Sequence, residues 1–152
     1  MADDAPEITA AILGTSNRVD SVDSLLAHMV EEGLLSLEDV SGVRDAIERR
    51  LTLGPVAIGG GVAIPHCKHP GTDRPIMAVA LLRHPNTDWE SLDGEPVDLV
   101  FLIVTPKEPA ARSCTRFFER LMCRLRDGLG ERLRRSTSPA ELVEVVNGSE
   151  PN

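Results

Sequence analysis

One histidine follows a stiff, glycine-rich stretch of the chain, and its surroundings suit chemistry better than those of any other residue. Gly59, Gly60 and Gly61 let backbone N–H groups approach an anion closely, because no Cβ stands in the way and positive φ is open to them. Pro65 fixes its own φ and keeps the residue before it extended, so the chain reaches His66 with little freedom. Neutral imidazole is nucleophilic near pH 7, and its attack on a phosphoryl group forms a labile phosphoramidate. The stretch therefore suits the presentation of one imidazole to an anion such as phosphate, while a plain loop histidine remains the alternative.

An arginine is placed to assist that histidine. Arg50 lies at the rim of an apolar helical stripe, one turn from the predicted end of the helix, and can point into the following loop. To catalyse phosphoryl transfer, a protein must position the phosphoryl group and neutralise its charge. The Arg50 guanidinium and the amides of Gly60 and Gly61 would supply both. Two alternatives stay open. Arg50 would also complement the C-terminal end of its helix dipole, and the glycines would also make a plain tight turn.

The segment Gly-Val-Ala-Ile-Pro-His that ends at His66 resembles the phosphoacceptor segment of a known family. This family is the fructose/mannitol/nitrogen-regulatory (PtsN-like) type of enzyme IIA of the bacterial phosphotransferase system, and the likeness runs from about Val19 to Val146. Its members carry an arginine sixteen residues before the active histidine, which matches Arg50. The resemblance implies a phosphotransferase component without a cofactor. It accepts a phosphoryl group on His66 from an HPr-like protein and passes it to a permease IIB domain or signals with it.

The chain departs from the family pattern at two places. The family commonly has Gly-Ser-Thr-Gly-Ile-Gly-Asn/Glu-Gly where residues 54–61 read Gly-Pro-Val-Ala-Ile-Gly-Gly-Gly. The supporting second histidine of the family falls on Cys114, or on Ser113 if the alignment shifts by one. A thiol is a weaker hydrogen-bond partner, although Cys114 also fits as a small buried residue before Phe117 and Phe118. These departures favour an alternative function, a regulatory module with the enzyme IIA fold that controls a transporter or kinase partner and is impaired in onward transfer.

A metal site is a third and weaker interpretation. His66, Cys67 and His69, with Cys114 as a fourth ligand, offer the sulfur and imidazole ligands that zinc prefers. Their spacing is not a recognised zinc pattern, so we predict no metal. We interpret the remaining histidines as structural or loop residues: His28, His69 and His84.

Composition excludes several classes of protein. The net charge of −8 disfavours nucleic acid, which is bound mainly through clustered Lys and Arg. No apolar run approaches the roughly 20 residues that a membrane span needs, and no leader pattern is present. The three cysteines lack framework spacing, which favours a reducing compartment and a cytoplasmic location. Arginines concentrate late in the chain, and we interpret them as solvated helix faces: Arg112, Arg116, Arg120, Arg124, Arg126, Arg132, Arg134 and Arg135.

The periodicity of apolar residues predicts an α/β fold. Near-continuous apolar runs at Ile76–Leu82 and Val97–Val104 are typical of central strands covered on both faces, joined by a connection too short for a crossover helix and hence antiparallel or mixed. A short strand is expected at Ile8–Leu13, and the polar segment 67–75 is expected to be a loop. We predict one layered domain, with a mixed sheet of about five strands flanked by helices on both faces, a core from about residue 8 to 146 and a frayed tail at 147–152.

Four helices are expected around this sheet. The first runs from Asp20 to Gly33, and the second begins at a capping box of Ser36 and Asp39 and ends after Leu51. Two more follow the central strands, from about Pro109 to Gly128 and from an N-cap at Ser138 to about Val146.

Overall fold

The fold is built on a six-stranded mixed sheet. The computed structural model describes residues 6–14, 17–107 and 111–148, without the side chains of residues 111–115. The strands are β1 (Glu7–Leu13), β2 (Ala57–Gly59), β3 (Val62–Ala63), β4 (His66–His69), β5 (Ile76–Asn86) and β6 (Val97–Pro106). They lie in the order β1-β5-β6-β3-β2, and β4 also pairs with β6.

The two apolar runs form the centre of the sheet, as predicted. Strands β5 and β6 are antiparallel, with Ile76 opposite Val104, and β1 adds parallel to β5. Both central strands are longer than the apolar runs indicate: β5 continues through exposed residues to Asn86, and β6 continues through buried residues to Pro106. The sheet's two faces are covered, and these strands contribute to the aliphatic core on both of them.

In the described ranges, five α-helices cover the two faces of the sheet. They are α1 (Arg18–Glu31), α2 (Val40–Leu51), α3 (Ala111–Arg126), α4 (Leu129–Arg134) and α5 (Pro139–Val146). Apolar side chains of α1 and α2 pack on one face of the sheet, and those of α3, α4 and α5 pack on the other. The predicted layered α/β class is confirmed. None of the helices in the described ranges has the length and apolarity of a bilayer span.

The local expectations were met in part. Ser138 caps α5 by accepting the Glu141 N–H at 3.2 Å, as its pattern predicts. The predicted capping box at Ser36 does not form: Ser36 makes no side-chain cap bond and precedes a 3₁₀ turn at Leu37–Asp39. A fifth helix, α4, follows Gly128 and was not predicted, because its six residues are too few to establish a periodicity.

The segment 67–75 was expected to be a loop, and this expectation was wrong for its first residues. His66–His69 form β4, a strand with the polar sequence His-Cys-Lys-His. It pairs in parallel with β6, from His66 opposite Ile103 to His69 opposite Pro106. Pairing with a long neighbour imposes extended backbone on a sequence too polar to indicate a strand by itself.

Candidate functional site

His66 is the first residue of β4 and takes its backbone position from β6. Strands β3 and β4 lie one after the other along the same side of β6, with Ile64 and Pro65 between them. The carbonyl of Pro65 accepts the N–H of Ile103 at 3.0 Å, while the proline nitrogen has no hydrogen to donate to the ladder. The histidine is therefore held by a regular parallel ladder from its first residue.

The imidazole of His66 has one nitrogen engaged by the backbone. Its Nδ1 lies 2.9 Å from the carbonyl oxygen of Ile64. A carbonyl oxygen only accepts hydrogen bonds, so Nδ1 is the protonated nitrogen and Nε2 carries the free lone pair. The ring is half-buried and meets the ring of Phe118 edge-on, with centroids 5.1 Å apart and an interplanar angle of 64°. These two contacts fix the ring and leave the lone pair of the neutral imidazole on Nε2.

Arg50 lies near the end of α2 and contacts the loop that connects α2 to β2. Its Nη1 donates to the carbonyl oxygen of Gly54 at 3.3 Å. Farther along, Ala57 pairs with Ala63 in antiparallel register, and the N–H of Ile64 donates to the carbonyl of Val56 at 2.9 Å. Gly54 itself belongs to the turn that ends α2, since its N–H donates to the carbonyl of Leu51 at 3.4 Å. The guanidinium is thus anchored to the turn that leads from α2 into β2.

The three glycines form the turn between β2 and β3, which we call the glycine hairpin (residues 57–63). Gly60 and Gly61 adopt φ of 66° and 79°, in the left-handed region that favours glycine. The N–H of Gly60 donates to Asp93 Oδ2 at 2.9 Å, and its carbonyl accepts from Arg134 Nη2 at 2.5 Å. The hydrogen bonds from Gly60, Glu95 and Ser91 lower the pKa of Asp93. The N–H of Gly60 is therefore already hydrogen-bonded to the carboxylate of Asp93.

The structure does not bring the glycine hairpin to His66. The carbonyl of Gly61 accepts from the N–H groups of Asp98 and Leu99, whereas His66 lies opposite Ile103. Four to five residues along a strand correspond to about 13–16 Å. The amides of Gly60 and Gly61, which we expected to hold a phosphate at the histidine, face the far end of β3.

The glycine at position 61 makes room for an ion pair. A Cβ there would lie 2.8 Å from both Arg134 Nη2 and Asp98 Oδ1, too close for either atom to stay. Arg134 donates to both carboxylate oxygens of Asp98, from Nε at 2.9 Å to Oδ2 and from Nη2 at 2.9 Å to Oδ1. The side-chain hydrogen bond with Asp98 raises the pKa of Arg134. This pair fastens the glycine hairpin to β6 and α4.

Comparison with known proteins places this arrangement in a family. Residues 12–149 match the model described as "Phosphoenolpyruvate-dependent sugar phosphotransferase system, EIIA 2". The chain belongs to this family. It is an EIIA-type domain, and the resemblance found in its sequence is confirmed.

Two curated relatives of this EIIA domain differ in length. The nitrogen regulatory protein of Bradyrhizobium diazoefficiens is 34% identical over 143 residues, which cover 93% of this chain and 90% of the relative. The 2-O-alpha-mannosyl-D-glycerate-specific EIIABC component of Escherichia coli K12 is 34% identical over 133 residues, which cover 82% of this chain. The match spans only 20% of that much longer protein.

Solved structures share the fold of the EIIA domain. IIA-Ntr from Neisseria meningitidis superimposes with a TM-score of 0.74 at 23% identity, covering 92% of each chain. IIA-mannitol from Escherichia coli, solved in complex with phosphorylated IIB-mannitol, gives a TM-score of 0.63 at 20% identity and covers 90% of this chain and 94% of that one. At these identities the likeness establishes the fold.

The second-histidine position of the EIIA domain lies outside the described side chains. Cys114 and Ser113 belong to α3, whose backbone is helical from Ala111, and the prediction for their side chains stays a prediction. Sequence reasoning also passed over Phe118 as a contact of the active imidazole. Its helical spacing marked it as apolar, but only the packing of α3 on β4 reveals which residue it touches.

The other two candidate ligands on β4 point away from the imidazole. Successive strand residues alternate between faces, so Cys67 and His69 lie on the α2 side and His66 on the α3 side. Cys67 is buried in the core that includes Val43 and Ile47, and burial, opposed by the charge of Arg49, raises its pKa to about 11. Within residues 6–14, 17–107 and the described side chains of 116–148, no three metal-ligating side chains converge.

Proposed function

We propose that this EIIA domain is a phosphohistidine carrier whose acceptor atom is Nε2 of His66. The observation that carries the proposal is the 2.9 Å contact between Nδ1 and the Ile64 carbonyl, which leaves the lone pair on Nε2. That lone pair attacks the phosphorus of a phosphohistidine on an HPr-like donor protein. The new N–P bond forms as the donor's N–P bond breaks, and the donor imidazole leaves with the electron pair of that bond. Positive charge that develops on the ring is stabilised at Nδ1–H by the Ile64 carbonyl.

Arg50 supplies the charge that the transferring group needs. The planar guanidinium fork fits two phosphoryl oxygens at once, and its charge opposes theirs. Among the described residues, Arg50 makes one hydrogen bond, to the Gly54 carbonyl at 3.3 Å, and its other N–H groups remain for the phosphoryl oxygens. No metal or nucleotide takes part in this step.

The phosphoryl group then has two candidate fates in the cytoplasm. A IIB-type permease domain would take it onward, in the way suggested by the complex of IIA-mannitol with phosphorylated IIB-mannitol. The alternative is regulatory: the phosphorylated and free forms bind a transporter or kinase partner with different affinity. The 34% identity to a nitrogen regulatory protein over 93% of this chain supports the regulatory fate, and the 34% identity to an EIIABC component over 82% of this chain supports onward transfer.

The test of the carrier function is phosphorylation in a reconstituted relay. The purified protein is incubated with phosphoenolpyruvate, enzyme I and HPr, and the product is assayed for an acid-labile, base-stable phosphoryl group. His66→Ala should abolish the label. His84→Ala, at an exposed position on β5, is the matched control and should keep it. A label that survives His66→Ala, or its absence from the unsubstituted protein, contradicts the proposal.

Affinity capture separates the two fates. The protein and its His66→Ala variant are used as baits before and after incubation with the relay. A transporter or kinase held by one phosphorylation state of the unsubstituted protein supports the regulatory fate. Recovery of HPr-like donors and IIB domains alone supports onward transfer.

A further inference from the structure

A second histidine on β4 faces an acidic residue of α2. Nε2 of His69, the last residue of the strand, lies 3.1 Å from Oδ1 of Asp39, which directly precedes the helix. The His69 and Asp39 side chains are 14% and 29% exposed. This Nε2 atom is buried and makes no aligned hydrogen bond in the described structure, although the carboxylate oxygen lies within 3.1 Å of it. We call these two residues the Asp39–His69 pair.

Two glycines leave the space that the pair occupies. A Cβ on Gly71 would lie 2.6 Å from Asp39 Oδ2 and 2.9 Å from Cγ, so the carboxylate rests directly on the Gly71 backbone. A Cβ on Gly42 would lie 3.3 Å from Cε1 of His69. The carboxylate is thus enclosed between the imidazole and the chain that follows β4, which restricts how far either side chain can move.

The pair joins α2 to β4 at the end remote from the candidate site. Asp39 stands at the start of α2 and Arg50 near its end, while His69 ends β4 and His66 begins it. Asp39 and Gly42 meet His69, and the charge of Arg49, near the other end of the helix, acts on Cys67. The helix therefore runs antiparallel to the strand. Between the two ends, Cys67 shares a core cluster with Val43 and Ile47. Contact at the Asp39 end fixes how far the helix is displaced along the strand, and so where Arg50 lies relative to His66.

We propose that Asp39 and His69 are positioning residues that hold α2 on β4 in the register which brings Arg50 to His66. The kinetic consequence rests on the proposed carrier function. Aliphatic packing between a helix and a strand tolerates small displacements, whereas the enclosed contact between the carboxylate and the imidazole at one end favours a single placement. A misplacement of 1 Å can cost phosphoryl transfer as much as about a hundredfold in rate.

The first test is single-turnover phosphorylation of His66 at saturating HPr donor. Asp39→Ala and His69→Ala remove the pair, and Gly71→Ala displaces the carboxylate without removing its charge. Each should slow the transfer about tenfold. His69→Gln sets an amide N–H where Nε2 stood and should restore most of the rate. Val145→Ala, buried on the opposite face in α5, is a control that lowers thermal stability and should leave the rate unchanged.

The second test needs no phosphoryl transfer. Hydrogen exchange at the β4 amides should accelerate in Asp39→Ala and His69→Ala and stay unchanged in Val145→Ala. Unchanged β4 exchange in the first two variants would show that the Asp39–His69 pair does not hold α2 on β4. If the unsubstituted protein accepts no phosphoryl group, the proposed carrier function is wrong, and the exchange rates still show whether the pair holds α2 on β4. If it is phosphorylated and Asp39→Ala reacts equally fast, the positioning role is overturned while the carrier function stands.

Discussion

The side chain of His66 turns back on its own strand, with Nδ1 against the carbonyl oxygen of Ile64 two residues earlier. Residues i and i+2 of an extended chain lie on the same side, so this contact requires only local geometry. It selects the tautomer without a second side chain. The imidazole thereby has one determinant of its orientation within its own segment of the chain.

The first prediction concerns which nitrogen reacts. Neutral His66 should be the Nδ1–H tautomer, and the phosphoryl group should be attached to Nε2. Long-range ¹H–¹⁵N spectra of the free protein and ¹⁵N–³¹P couplings of the phosphorylated protein report both. Phosphorus bonded to Nδ1 would show that the Ile64 contact is not kept during transfer.

The second prediction concerns Arg50. Arg50→Ala should lower the rate of His66 phosphorylation by about a hundredfold, the usual effect of losing one charge-stabilising donor. Arg50→Lys keeps the charge without the planar fork and should recover only part of that loss. Single-turnover kinetics measure both variants. Arg49→Ala makes the same charge change one residue away at an exposed position, and an equal loss there would mean that net charge alone is responsible.

The third prediction is that Gly60 and Gly61 contribute to folding stability and that Gly60 takes no part in phosphoryl transfer. Gly60→Ala should cost about 1 kcal/mol of unfolding free energy through its positive φ. Gly61→Ala should cost more, because its Cβ would also displace Arg134 and Asp98. Urea unfolding followed by fluorescence of Trp89, the single and buried tryptophan, measures both. The phosphorylation rate of Gly60→Ala should match that of the unsubstituted protein, and a large loss would instead support phosphate binding by that amide.

The fourth prediction uses the pKa of Cys67. Burial raises it from 9.0 to about 11, so the folded protein holds this proton more tightly than the unfolded chain. The resulting stability is fully present below pH 9.0 and is lost as the pH rises towards 11. Cys67→Ser should flatten the alkaline loss of unfolding free energy. Alkylation at pH 8, followed by peptide mass spectrometry, should modify the exposed Cys123 well before the buried Cys67.

Much of the fold could be predicted because local patterns determined it. The apolar runs of β5 and β6 become the buried centre, and Ser138 with Glu141 begins α5 where the cap pattern indicates. These features depend on residues within a few positions of one another, so they survive any arrangement of the remaining chain. The four polar residues of β4 carry no such pattern, and they are a strand because β6 offers them a partner.

Part of the candidate site could likewise be predicted from the sequence, and part could not. The sequence by itself determined that His66 follows a rigid proline step and that Arg50 stands near the end of an amphipathic helix. Only the tertiary structure decided that the glycine hairpin lies at the other end of β3, with Gly60 on Asp93, and that Asp39 meets His69. The reason is that strand register and helix placement depend on the packing of residues far apart in the chain, and spacing along the sequence does not encode which of them will meet.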